Sequence, residues 1–159
     1  MVRTMHPDSF DSAAEPVNLS TVAAALAPEL RCLLGPTIAL TMGTLPASGS
    51  ALVRVSREEI VDLLRHLALD AHDAMRTGGT VTIRTGLLRE VAECAALVIH
   101  EVPDALSSRS DPASGPIRKG RSLGLGASYD MVEHAGGHFH ISCRGRETVL
   151  TICFPLPTS

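Results

Sequence analysis

Apolar residues recur at helical spacing in "TVAAALAPELRCLL", where Asn18 or Ser20 supplies an N-cap, Gly35-Pro36 ends the run, and Pro28 marks an expected interruption. A second helix is expected from Ser56, with Glu59 completing a capping box in front of "IVDLLRHLALDAHDAM", to about Arg76. A third is expected from about Leu123 to Ala135. The pattern changes to β-branched or alternating runs in "TIALTMG" and "ALVRV", separated by the turn-rich "TLPASGS", which predicts a hairpin or two neighbouring strands. Gly78-Gly79 launches the alternating strand "TVTIRTGLL", and the continuous apolar run "CAALVIHEV" reads as a strand buried on both faces. "HFHISC" and "TVLTICF" read as closing strands.

The resulting order, one helix and two strands repeated three times, predicts a mixed sheet with helices packed on one face. This is a two-layer α/β sandwich. Residues 1–16 are polar, contain proline and lack periodicity, and read as a flexible lead-in to a single domain at 17–157. From Pro103 to Ser122 the chain is rich in Ser, Pro and Gly, without an apolar face; so long a loop inside a domain is usually functional or disordered.

Composition narrows the function classes. The chain has 159 residues, 45% apolar, enough for one domain with its own core. A net charge of -3, with basic residues clustered only at Arg118, Lys119 and Arg121, gives no footprint for nucleic acid. Aromatic residues at 3%, with no tryptophan, leave little for base stacking. The four cysteines form no closely spaced pair and sit in apolar runs, so they read as free core thiols in a reducing compartment. No signal-peptide core and no apolar run of membrane-spanning length is present, which implies a cytoplasmic protein with no membrane partner.

Three stretches carry chemistry. "LLRHLALDAHDAMRTGGTVTIRT" places His66 and Asp70 one helical turn apart. "ALVIHEVPDAL" ends a strand in Glu101 and Pro103. "GRSLGLGASYDMVEHAGGHFHI" sets Gly120, Ser122, Leu123, Gly124 and Leu125 at the mouth of a helix, whose N-H groups and dipole favour phosphate. His134, His138 and His140, with Cys143, lack the paired spacing of a zinc site and read as structural.

Together these stretches resemble the catalytic ATP-binding domain of sensor histidine kinases, in the GHKL ATPase superfamily with its Bergerat fold, over about Val17 to Pro155. The resemblance implies that His66 and Asp70 stand at the two asparagine positions of the N box, where the second helps to hold a magnesium ion. It implies that Glu101 stands at the adenine-binding aspartate, Pro103 and Ala105 at two glycines, and Ser122 at the middle glycine of the second glycine box. Thr148 falls where a threonine supports the adenine-binding carboxylate, and Lys119 and its basic neighbours fall within reach of phosphate oxygens.

ATP and magnesium are thus the implied cofactors, both weakened by these departures. The segment before Val17 is too short for a phosphoacceptor hairpin, so the expected partner is a histidine phosphoacceptor or response-regulator-type protein in trans. The alternative is a scaffold without nucleotide, acting as a docking module for a kinase or phosphorelay partner.

Overall fold

The computed structural model describes residues 15–47, 49–89, 93–104 and 119–157, the side chains of 119–125 excepted. The lead-in up to residue 14, Ala105, and the Ser/Pro/Gly-rich stretch at 105–118 lie outside these residues. In chain order the elements are β1 (Val17–Asn18), α1 (Leu19–Leu34), β2 (Ile38–Thr44), β3 (Leu52–Val53), α2 (Arg57–Ala74), β4 (Gly79–Leu88), β5 (Cys94–Pro103), α3 (Lys119–His134), β6 (His138–Arg144) and β7 (Glu147–Pro155).

Local chemistry sets the helix ends. Asn18 caps α1, its side chain accepting from the Ser20 and Thr21 backbone N–H groups, and Gly35 closes it at φ 86°, a conformation favoured by glycine. The Ser56–Glu59 capping box forms at the start of α2. Pro28 does not interrupt α1. A proline removes one helical hydrogen bond, but Leu26, Ala27 and Leu30 around it are buried, and this packing holds the helix together. α2 ends at Ala74, two residues short of the expected Arg76.

The five-stranded sheet has the order β2-β4-β5-β7-β6. β2 runs parallel to β4, and the other pairings are antiparallel. The expected hairpin between β2 and β3 does not form, because β3 leaves to pair antiparallel with β1. A parallel partner for β2 has to be reached by a long crossover, and α2 supplies it. All three helices belong to one layer: α2 packs between α1 and α3, and α1 rests on β2, β4 and β5. The Ser20 and Thr85 hydroxyls, 2.6 Å apart, fasten the start of α1 to β4.

Side chains facing the helices come in rows across the sheet, Met42, Ile83, Ile99, Leu150 and Ile141 in one, and Leu40, Val81, Glu101 and Thr148 in the next. The opposite face has no covering layer among the described residues, and this corrects the expectation that β5 is buried on both faces. Cys94, Val98, His100 and Val102 on that side are only half-buried. The cysteines are likewise not core residues: Cys32 and Cys143 are exposed, Cys94 and Cys153 half-buried, and all are free. Apolar sequence neighbours do not bury a residue whose own side chain points the other way along a strand.

Candidate functional site

Glu101 and Thr148 are register partners at one end of the β5–β7 ladder, 3% and 5% exposed. Both point to the helix-covered face, where the apolar rows of the sheet give way to a carboxylate beside a hydroxyl. A buried ionised carboxylate only accepts hydrogen bonds, while a threonine hydroxyl both donates and accepts. Such a pair suits a ligand offering N–H donors, and burial strengthens each bond because water does not compete.

Backbone geometry fixes the end of the ladder. Pro103 ends β5 opposite Gly79, where proline's missing N–H removes a ladder donor. A Cβ on Gly79 would lie 2.5 Å from the Val102 carbonyl oxygen and 2.9 Å from the Pro103 Cα. Glycine at this position lets β4 and β5 close up beside Glu101.

Asp70 lies on the buried stripe of α2 with Leu63, Leu67 and Ala71, at 7% exposure. Asp70 and Glu101 each engage a neighbouring group in the protein. His66, one turn before Asp70, is exposed, so the two residues expected to share a face divide between surface and interior. A carboxylate such as that of Asp70 suits magnesium, which usually takes one or two protein carboxylates and completes its shell with phosphate oxygens and water. Among the described residues no group of three His, Cys, Asp or Glu side chains is placed to hold a metal ion. His138 and His140 are exposed on β6.

The glycine-rich segment is where the structure departs most from expectation. α3 begins at Lys119 rather than near Leu123, so Gly120, Ser122, Leu123, Gly124 and Leu125 lie in its first two turns and do not form a turn preceding it. Isolated glycines only weaken a helix, and no proline separates Lys119 from Leu123. The N–H groups of the first three residues of a helix have no internal partner, and here these belong to Lys119, Gly120 and Arg121.

Ser128 was not singled out from the sequence, yet it is buried on α3 and engages a neighbouring group. Its four-residue spacing to buried Val132 is the signal that marks it as inward-facing. On the opposite sheet face, next along β5 from Glu101, His100 Nε2 lies 2.8 Å from Glu147 Oε1.

No protein-family model matches the chain, and no curated protein matches it. Solved structures do. The mycobacterial sensor histidine kinase MprB superposes with a TM-score of 0.64 at 18% identity, over 91% of this chain and 100% of that one. The Acinetobacter baumannii histidine kinase AdeS gives 0.65 at 16% identity over 91% and 68%. A histidine kinase from Burkholderia phymatum STM815 gives 0.65 at 17% identity over 95% and 74%. The chain therefore has the α/β fold of histidine-kinase-type ATP-binding domains, as the motifs imply. None of its described helices is long and apolar enough to cross a membrane.

Proposed function

We propose that this protein is an ATPase-like signalling module that binds ATP with magnesium, weakly, between its sheet and helix layers. The observation that carries this reading is the buried Glu101–Thr148 pair, a carboxylate and a hydroxyl held in register where the resemblance puts the adenine contact. Asp70 would hold the magnesium ion together with the phosphates, and the ion would supply charge neutralisation for phosphoryl groups. The first N–H groups of α3, with Lys119, would serve the phosphates.

Two features weaken binding. Asp70 brings a negative charge towards polyphosphate, which makes affinity depend on the metal, and Pro103 has no N–H to offer. Phosphoryl transfer in this scheme goes to a histidine phosphoacceptor or a response-regulator-type protein met in trans, in the cytoplasm.

One observation favours a second reading, a docking scaffold without nucleotide. With α3 starting at Lys119, the N–H groups from Ser122 onward are spent inside the helix, leaving a smaller phosphate cradle than a glycine loop would give.

Calorimetric titration with ATP, with and without magnesium, separates the two. Saturation that requires magnesium and disappears in Asp70→Ala supports the nucleotide module. No heat at millimolar ATP, from protein with a native circular dichroism spectrum, overturns it in favour of the scaffold.

A further inference from the structure

On the sheet face turned away from the helices, Cys94 opens β5 opposite Pro155, and Cys153 on β7 stands opposite Ala96. The two cysteines are therefore diagonal neighbours on one face of adjacent strands. Their side chains are hydrogen-bonded to each other, and both are free and partly accessible. His138 of β6 is the direct partner of Cys153 on its other side, at a cross-strand Cβ spacing of roughly 4.5–5.5 Å.

We propose that Cys94 and Cys153 form a peroxide-sensitive dithiol that oxidises to a disulfide stapling the start of β5 to the end of β7. The two thiols have distinct parts. Burial, reinforced by the hydrogen bond to Cys153, pushes the Cys94 thiol up to about 12, so Cys94 keeps its proton and suits the second, resolving part. Cys153, flanked by Cys94 on one side and by its direct partner His138 on the other, takes the first step.

The chemistry balances in two steps. The Cys153 sulfur attacks one oxygen of a hydroperoxide, the O–O bond breaks, and the sulfenic acid forms with release of water or an alcohol. The Cys94 sulfur then displaces the hydroxyl from the Cys153 sulfur, its proton leaves with that hydroxyl as water, and the S–S bond closes. The sulfur pair loses two electrons and the peroxide gains them. Diagonal partners start somewhat wider apart than a disulfide spans, at Cα separations of roughly 7–8 Å. Cys94, as the first residue of its strand, can close the difference with the loss of few ladder bonds.

This inference is independent of nucleotide binding, because Glu101 and Thr148 lie at the other end of the same two strands and on the other face. The test uses the full chain with Cys32→Ser and Cys143→Ser, which removes the two exposed thiols. After hydrogen peroxide treatment, peptide mapping is expected to recover Cys94 and Cys153 in one linked species, about 2 Da lighter than the two thiol peptides together and released by dithiothreitol. In a further Cys94→Ala variant, Cys153 is expected to stop at the sulfenic acid and be trapped by dimedone. Sulfinic acid on Cys153 with Cys94 still free, a disulfide between two chains, or two unreacted thiols would each overturn the proposal.

Discussion

Glu101 on β5 and Thr148 on β7 face each other as direct antiparallel partners, and both are shielded from water. If this pair holds the base of ATP, Glu101→Gln keeps the shape but loses the anionic acceptor. A hydrogen bond to a charged group contributes about 1.5–3 kcal/mol, so ATP affinity in calorimetry is expected to fall about 10- to 100-fold. Thr148→Val removes a neutral contact of about 1 kcal/mol, a loss of about fivefold. Unchanged ATP titrations in both variants would remove the pair from the ligand site.

Binding weakened only by local chemistry should be recoverable. The triple variant Asp70→Asn, Pro103→Gly, Ser122→Gly is expected to bind ATP about tenfold more tightly, a gain of ~1.4 kcal/mol. A triple variant that is folded and no tighter would show that the loss is not confined to these positions.

Cys143 on the edge strand β6 is the register partner of Thr148 and is exposed. A bulky maleimide on Cys143 should therefore crowd the ligand site, and bound ATP should slow the labelling. With Cys32→Ser in the background, peptide mass spectrometry reads the rate directly. Equal rates with and without ATP-magnesium would separate Cys143 from the site.

Two substitutions test the frame. Ser56→Ala removes the side-chain acceptor for the Glu59 N–H and should lower stability by about 1 kcal/mol in urea unfolding. Gly79→Ala forces a Cβ against backbone atoms that cannot turn aside, at φ 159°, and should cost more than Ser56→Ala by several-fold, about 3 kcal/mol or above. A mild Gly79→Ala phenotype would mean that β4 and β5 can separate at that end.

The half-exposed Glu29 carboxylate receives two hydrogen bonds from Arg65, at 2.6 and 3.1 Å, joining α1 to α2. The hydrogen bond from Arg65 holds its pKa below the usual glutamate range. A lowered folded-state value means that the pair's stabilisation is fully present above the unfolded pKa and is lost as pH falls through the lower folded one. Carboxyl NMR titration should place Glu29 below an ordinary glutamate, and Arg65→Ala should return it there. A normal titration of Glu29 in the wild type would mean that the pair is not held in solution.

The parts legible in the sequence were those written in neighbouring residues. Asn18, Gly35 and the Ser56–Glu59 box announce their helix ends within a turn. Pro28 misleads because tertiary burial around it outweighs the lost hydrogen bond. The β2–β3 hairpin misleads because the true partners, β4 and β1, are remote in sequence and nothing in the turn between the strands encodes them. The Glu101–Thr148 register is equally remote, and it was reachable only through the resemblance of two separate motifs. The start of α3 was missed because glycine reads as a stop signal, whereas in a helix's first turns it is merely a weak helix former.

β5 is paired antiparallel on both sides, to β4 along its whole length and to β7 as far as Glu101. Amide protons in such a strand are released only by opening the entire sheet, so they belong with the slowest to exchange with solvent. Glu101 and Thr148 consequently form a wall that does not adapt to its ligand. Adaptation falls to the opposite wall, where a helix can shift or fray without breaking a sheet, so differences between one nucleotide and another should appear as changes in the exchange of α3 amides while those of β5 stay silent.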